Sequence, residues 1–156
     1  MNLDPKEIPP DPASFTVATR NLGQITVREG EVITFSPGLP GWSQFHRYVL
    51  IRRPQESPFL WLQCVDNPDL ALVVINPAEV VPQYQVAASS AFLKELGVEE
   101  PQDLKVLVIL TIPPGRPREM TANLAAPLLI NLLNRRGRQL VLENPQYSRQ
   151  HRVFPR

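Results

Sequence analysis

"LLINLLNRRGRQLVL", residues 128–142, decides the fold class of this 156-residue chain. Read as one helix, the stretch carries Gly137 in its interior, at a cost of about 1 kcal/mol relative to alanine. Its apolar residues Leu128, Leu129, Ile130, Leu132 and Leu133 spread around such a helix instead of forming one stripe. Read as two strands, it folds back through Asn134–Arg138, a polar segment that contains the glycine. Arg135, Arg136 and Arg138 then cluster at the tip. Leucine propensity alone favours the helix. The rest of the chain favours the hairpin.

Proline is the first reason. There are 18 prolines spread along the sequence. Each removes a backbone donor and breaks a helix interior. The longest proline-free stretches are residues 13–36, 83–100 and 128–144, so short strands joined by proline turns are expected. Hydrophobic residues make up 43% of the chain, enough for one globular core.

Outside residues 128–142 the pattern is mostly strand. "FTVATRNLGQITV" is two alternating runs broken at Asn21–Gly23, a hairpin. "EVITF" follows, then "SPGLPGW" (36–42), a stiff, multiply turned loop. "RYVLIR", "FLWLQCV" and "LALVVI" are strands, the last two apolar enough to be buried on both faces. "NPAEVVPQYQV" ends one strand and begins another. "DLKVLVILTIP" is a long buried strand. Only "SSAFLKELGV" (89–98) has helix signals: a serine to cap the start and Gly97 just past the end. The expected architecture is mainly β, a small antiparallel β-barrel-like single domain of nine or ten strands with one or two short helices. Residues 14–147 form that domain. Residues 1–13, with four prolines and three acids, form an extended or disordered tail, and 148–156 a basic C-terminal tail.

The net charge is +1. From Arg135 onward the chain holds six arginines and one acid, so a basic end follows a mildly acidic body. Arginine outnumbers lysine 13 to 3. That suits bidentate contacts to carboxylate or phosphate, and equally a GC-rich genome. The start of the chain has no basic region followed by an apolar run, and no stretch reaches the roughly 20 apolar residues of a membrane span. A cytoplasmic protein without membrane contact is expected.

Chemistry-bearing residues are few. No nucleophile elbow, phosphate loop or metal-ligand spacing is present, so no catalytic residue, metal or cofactor is expected. Cys64 is the single cysteine and reads as a packed core thiol. With His46 it is the only nucleophile–base pair that can be named for a small β-barrel enzyme. Asp66 and Asp69 in "VDNPDL" pair two carboxylates, but beside Asn67 and Pro68 they read first as turn residues. Asn123 and Asn131 read as turn-tying asparagines. The arginines at the hairpin tip allow an RNA-binding module, although the exposed aromatics usual in single-strand binding are sparse, with only Tyr147 and Phe154 nearby.

Five segments in order, "FSPGLPGW", "FLWLQCV", "LALVVINP", "TANLAAPLLIN" and "GRQLVL" followed by Tyr147, resemble the FliW family of flagellar assembly factors. The resemblance runs from about Phe15 to Tyr147. It implies a β-barrel-like fold and a non-enzymatic role. FliW proteins bind flagellin and, in a partner switch, the RNA-binding translational regulator CsrA, whose repression of flagellin translation they relieve allosterically. The implied partners are therefore flagellin and CsrA, with no direct nucleic acid and no small-molecule substrate. Loop positions expected to make the contacts are Phe45, Asp66, Asn67, Asp69, Asn76 and Asn123.

Overall fold

The computed structural model describes residues 13–52, 58–143 and 146–155. The opening stretch is a hairpin: β9 (Leu128–Asn131) pairs antiparallel with β10 (Arg136–Gln139), Asn131 opposite Arg136 and Leu128 opposite Gln139. The loop is not Asn134–Arg138, as the polar run suggested, but Leu132–Arg135. Gly137 lies inside β10. A Cβ there would sit 2.6 Å from Cε1 of Phe35, so the glycine is required by an aromatic ring packed on the strand, not by the turn. Arg135 instead takes the left-handed backbone position, at φ 58°.

Seven strands close the barrel: β3 (Ile33–Phe35), β4 (Arg47–Arg52), β5 (Leu60–Cys64), β6 (Ala71–Ile75), β7 (Leu104–Thr111), β9 and β10. Neighbours pair antiparallel around the ring except β10 with β3, which are parallel, Arg136 opposite Thr34. The odd strand number forces this. Strands alternating up and down around a ring of seven must leave one pair running the same way.

Alternation along each strand fills the interior. Ile33, Phe35, Tyr48, Leu60, Leu62, Cys64, Val74, Leu107, Leu128 and Ile130 form one buried cluster, joined by Leu39 and Leu70 from the loops. The Phe35 and Tyr48 rings meet edge to face, 5.5 Å between centroids.

Two layers cover the outside. The hairpin β1 (Ser14–Thr19) and β2 (Gly23–Arg28) packs Val17 and Val27 against Val49 of β4. A second cluster, Ile75, Val108, Leu110, Met120, Ala122 and Leu124, lies over β6 and β7. It is closed by β8 (Thr121–Ala122) and β11 (His151–Arg152), which pair with each other. Residues 148–155 are thus tied to the body, Leu124 N–H also donating to the Ser148 carbonyl at 2.9 Å. Residues 1–12 of the expected N-terminal tail lie outside the described residues. Ala13 is bonded in place, its carbonyl accepting from Glu29 N–H at 2.8 Å.

The helix α1 (Ser90–Leu96) forms where its caps predicted. Ser89 Oγ accepts from Phe92 N–H at 3.1 Å, and Gly97 ends the helix at φ 79°. The expected second strand in "NPAEVVPQYQV" is absent. Asn76 caps a short 3-10 turn at Pro77–Glu79, and the chain crosses the outside of the barrel without regular structure until α1. Proline without an N–H cannot continue the ladder that β6 began.

Candidate functional site

The strand directions gather the loop 36–46, the turn 65–70 and the segment after β7 at one end of the barrel. Four contact candidates, Phe45, Asp66, Asn67 and Asp69, meet there. Loop 36–46 is braced from within. His46 Nδ1–H donates to the Phe35 carbonyl at 2.8 Å, Phe45 N–H to the Trp42 carbonyl at 3.0 Å and Trp42 N–H to the Leu39 carbonyl at 2.9 Å. A Cβ on Gly38 would lie 2.6 Å from the Ser43 carbonyl oxygen, so the loop closes this tightly only with glycine. Leu39 plugs the core, Phe45 packs half-buried against it, and Trp42 stays exposed.

The acidic turn beside it is equally fixed. Arg47 grips Asp66 with two bonds, Nε–Oδ2 at 3.2 Å and Nη2–Oδ1 at 2.7 Å. That contact pushes the Arg47 guanidinium pKa further up. Asn67 Oδ1 accepts from Asp69 N–H at 3.0 Å, an Asx turn. Beneath the turn the buried Gln63 amide lies within 3.4 Å of the carbonyls of Cys64, Asn67, Pro68 and Leu70. Arg20 N–H donates to the Pro68 carbonyl at 2.9 Å, which ties the β1–β2 hairpin to the same turn. Asp66 and Asp69 therefore stand on a hydrogen-bonded platform, with Asp66 already ion-paired to Arg47.

Asn123 is at this end of the barrel but on β8's side, its Oδ1 accepting from Ala125 N–H at 3.2 Å. Asn76 is at the opposite end, where its Oδ1 accepts from Ala78 N–H at 3.0 Å. The structure thus groups four of the six candidates, sets one apart and places one at the far end.

The enzyme pair dissolves on inspection. Cys64 is fully buried in the barrel, where burial pushes its thiol pKa up and suppresses the thiolate. His46 spends its Nδ1–H on the backbone. Among the described residues no cluster of three or more histidines, cysteines or acids could hold a metal ion. The hairpin arginines are largely occupied. Arg135 Nη2–H donates to the Glu31 carbonyl at 2.9 Å, and Arg138 pairs with Glu95 at 2.7 Å while its guanidinium lies 4.9 Å over the Phe92 ring. Sequence reasoning treated these as a free basic tip because their partners are 43 to 104 residues away.

The features it missed are apolar. Leu132 and Leu133 form the hairpin turn and are 38% and 75% exposed. Val141, Trp42 and Ile112 are exposed as well.

The FliW protein family model matches residues 16–153. The chain belongs to the FliW family. It is 41% identical over 137 residues to the flagellar assembly factor FliW of Caldanaerobacter subterraneus subsp. tengcongensis, covering 87% of this chain and 91% of that protein. Against the FliW of Alkaliphilus metalliredigens the identity is 38% over 87% of this chain and 84% of the relative. A crystal structure of the flagellar assembly factor FliW superposes with a TM-score of 0.83 at 35% identity, over 91% of this chain and 99% of that one. The FliW barrel is therefore the fold of this chain from its first hairpin to its last strand. FliW proteins are assembly factors by name. No helix among the described residues is long and apolar enough to cross a membrane.

Proposed function

We propose that this chain acts in the cytoplasm as a non-enzymatic partner switch. It binds flagellin, and in flagellin's absence it binds the translational regulator CsrA and relieves repression of flagellin translation. The observation that carries the reading is the match to flagellar assembly factors over nearly the full length of the chain, at 41% identity to one of them. The site supports it in kind. Phe45, Asp66, Asn67 and Asp69 sit on braced loops whose ordering cost has been met before binding, which is what a recognition surface needs. An RNA-binding partner is basic, and exposed carboxylates at this end attract it. Asn123 and Asn76 extend the candidate surface to either side.

Isothermal titration with flagellin and with CsrA from the same genome tests this, each alone and then in competition. Submicromolar binding to both with mutual exclusion is expected. Binding to flagellin alone removes the translational role, and binding to neither overturns the reading. Direct RNA binding through the hairpin is the weaker alternative, because Arg135 and Arg138 already hold partners within the chain.

A further inference from the structure

Among the described residues, the side of β7 beside Val106 has no paired strand. The Asp103 carbonyl accepts from Leu132 N–H at 2.8 Å and the Ile109 carbonyl from Asn123 N–H at 3.0 Å, so the odd-numbered residues of β7 turn their backbone groups toward β9 and β8. Alternation turns the N–H and C=O of Val106, and the C=O of Leu104, to the other side. The Leu104 N–H is held by the Pro101 carbonyl. On that side β6 pairs only with Val108 and Ile109. The residue that would continue the ladder opposite Val106 is Pro77, which has no N–H and has turned away behind the Asn76 cap. Among the described residues no strand takes its place.

The edge is the floor of a groove of about 520 Å³, walled by Pro77, Tyr84, Val86 and Leu132. That is room enough for an occupant, within the roughly 300–1,000 Å³ of ligand sites. Its contour is set by neighbouring structure. Leu132 is held by Asp103, and the hairpin behind it by the bonds of Asn131 and Asn134 to the Leu96 carbonyl.

We infer that this groove binds an extended segment of a partner protein, which adds as a strand to β7 beside Val106 and carries an acidic residue opposite Lys105. The open N–H and C=O of Val106 call for a peptide backbone, which a small molecule or a helix does not offer. Lys105 selects among peptides. A second copy of this chain, pairing antiparallel with its open Leu104 carbonyl and Val106 N–H matched to each other, would set Lys105 against Lys105, and like charges directly opposite are destabilising. An acid at that position is favoured instead. The segment therefore alternates: an apolar residue opposite Val106, packed toward Val86 and Leu132, and an acid next to it.

The inference rests on the proposed flagellar role for its probe, unpolymerised flagellin from the same genome. Amide hydrogen exchange of the full chain, with and without saturating flagellin, reads the Val106 N–H directly. Protection at Val106 is expected on binding. Val106→Pro removes that donor without touching the β9 ladder, and Lys105→Glu reverses the charge. Each is expected to weaken flagellin binding roughly tenfold or more, the loss of a charge-paired or buried hydrogen bond. Thermal melts establish that the variants are folded. Should Val106→Pro fail to fold, exchange at Val106 in the unaltered chain and Lys105→Glu decide. Flagellin binding with no protection at Val106 and no loss in either variant overturns the edge while leaving the flagellar role intact. No flagellin binding at all takes down both.

Discussion

The Asn131 side-chain amide donates to the Leu96 carbonyl at 3.0 Å, joining the tip of the β9–β10 hairpin to the end of α1 across 35 residues. The same side chain turns its Oδ1 to the Leu133 N–H at 2.9 Å, so one fully buried asparagine caps a helix and shapes a turn. Asn131→Ala removes the acceptor of the Leu133 N–H and one of the two side-chain amides on the Leu96 carbonyl. A loss of about 1–3 kcal/mol in urea unfolding is expected. Asn134→Ala, which leaves Asn131 on the same carbonyl, is expected to cost less.

Gly137→Ala places a Cβ against the Phe35 ring. Overpacking of this kind costs about 1–3 kcal/mol. Phe35→Leu removes the flat ring and opens the space, so the double variant is expected to lose less than the two single variants added together. Equilibrium unfolding of all four proteins measures that coupling. Additive losses would show that the ring is not what excludes the side chain.

Tyr48 is sealed in the barrel with no partner for its hydroxyl among the described residues, and burial pushes its pKa up to about 12. The unfolded phenol ionises near 10, the folded one near 12. The folded state thus keeps a proton that the unfolded state releases, and stability falls as pH rises from about 10 to about 12. Tyr48→Phe is expected to flatten that fall and to cost little or nothing at pH 7, because the hydroxyl it deletes is unsatisfied. Tyr84 has the same upward shift, also from burial, but donates to the Leu124 carbonyl at 2.7 Å. Tyr84→Phe is expected to lose about 0.5–1.5 kcal/mol at pH 7. Urea titrations at pH 7 and pH 11 separate the two.

Cys64 combines full burial with a raised pKa. A thiol reagent such as DTNB is expected to leave it unmodified in the native protein at neutral pH and to react at once in denaturant. Fast modification of the folded chain would mean that the barrel opens far more readily than its packing implies.

Removing one partner from the Arg47–Asp66 pair tests the platform. Both side chains are about half exposed, so solvent screens the attraction, and Asp66→Asn is expected to change stability by less than about 1 kcal/mol. A larger loss in chemical denaturation would mean that the turn depends on this contact more than on the buried Gln63 amide.

Much of the barrel was legible because strands, caps and turns are local. Ser89 and Gly97 bound the helix by spacing alone, and alternation placed most of the strands. The β9–β10 hairpin was legible too, against leucine propensity, but its loop was not. The polar run Asn134–Arg138 resembled a turn, whereas Arg136 and Arg138 belong to a strand whose glycine answers to Phe35, a residue a hundred positions earlier. The contact candidates show the same limit. Asn67, Asn76 and Asn123 carry the turn chemistry expected of asparagine, while their grouping at one barrel end or the other depends on strand direction, which no short window of sequence contains. The open edge of β7 did leave a local trace, the "NP" at residues 76–77 that stops β6, but not the fact that a neighbour would be left uncovered.

The parallel seam between β3 and β10 also bears on how the protein is made. Arg135 and Glu31, bonded beside that seam, are 104 residues apart. Every other pairing in the ring joins strands closer in the chain. A nascent chain leaving the ribosome can zip β3 through β7 as it appears, but the free edge of β3 waits for the last third of the sequence. Such distant pairing is slow to form, because loop-closure entropy is spent before the contacts repay it. The ring is expected to shut in a late step, and truncation before Arg136 leaves an unclosed sheet with two exposed edges.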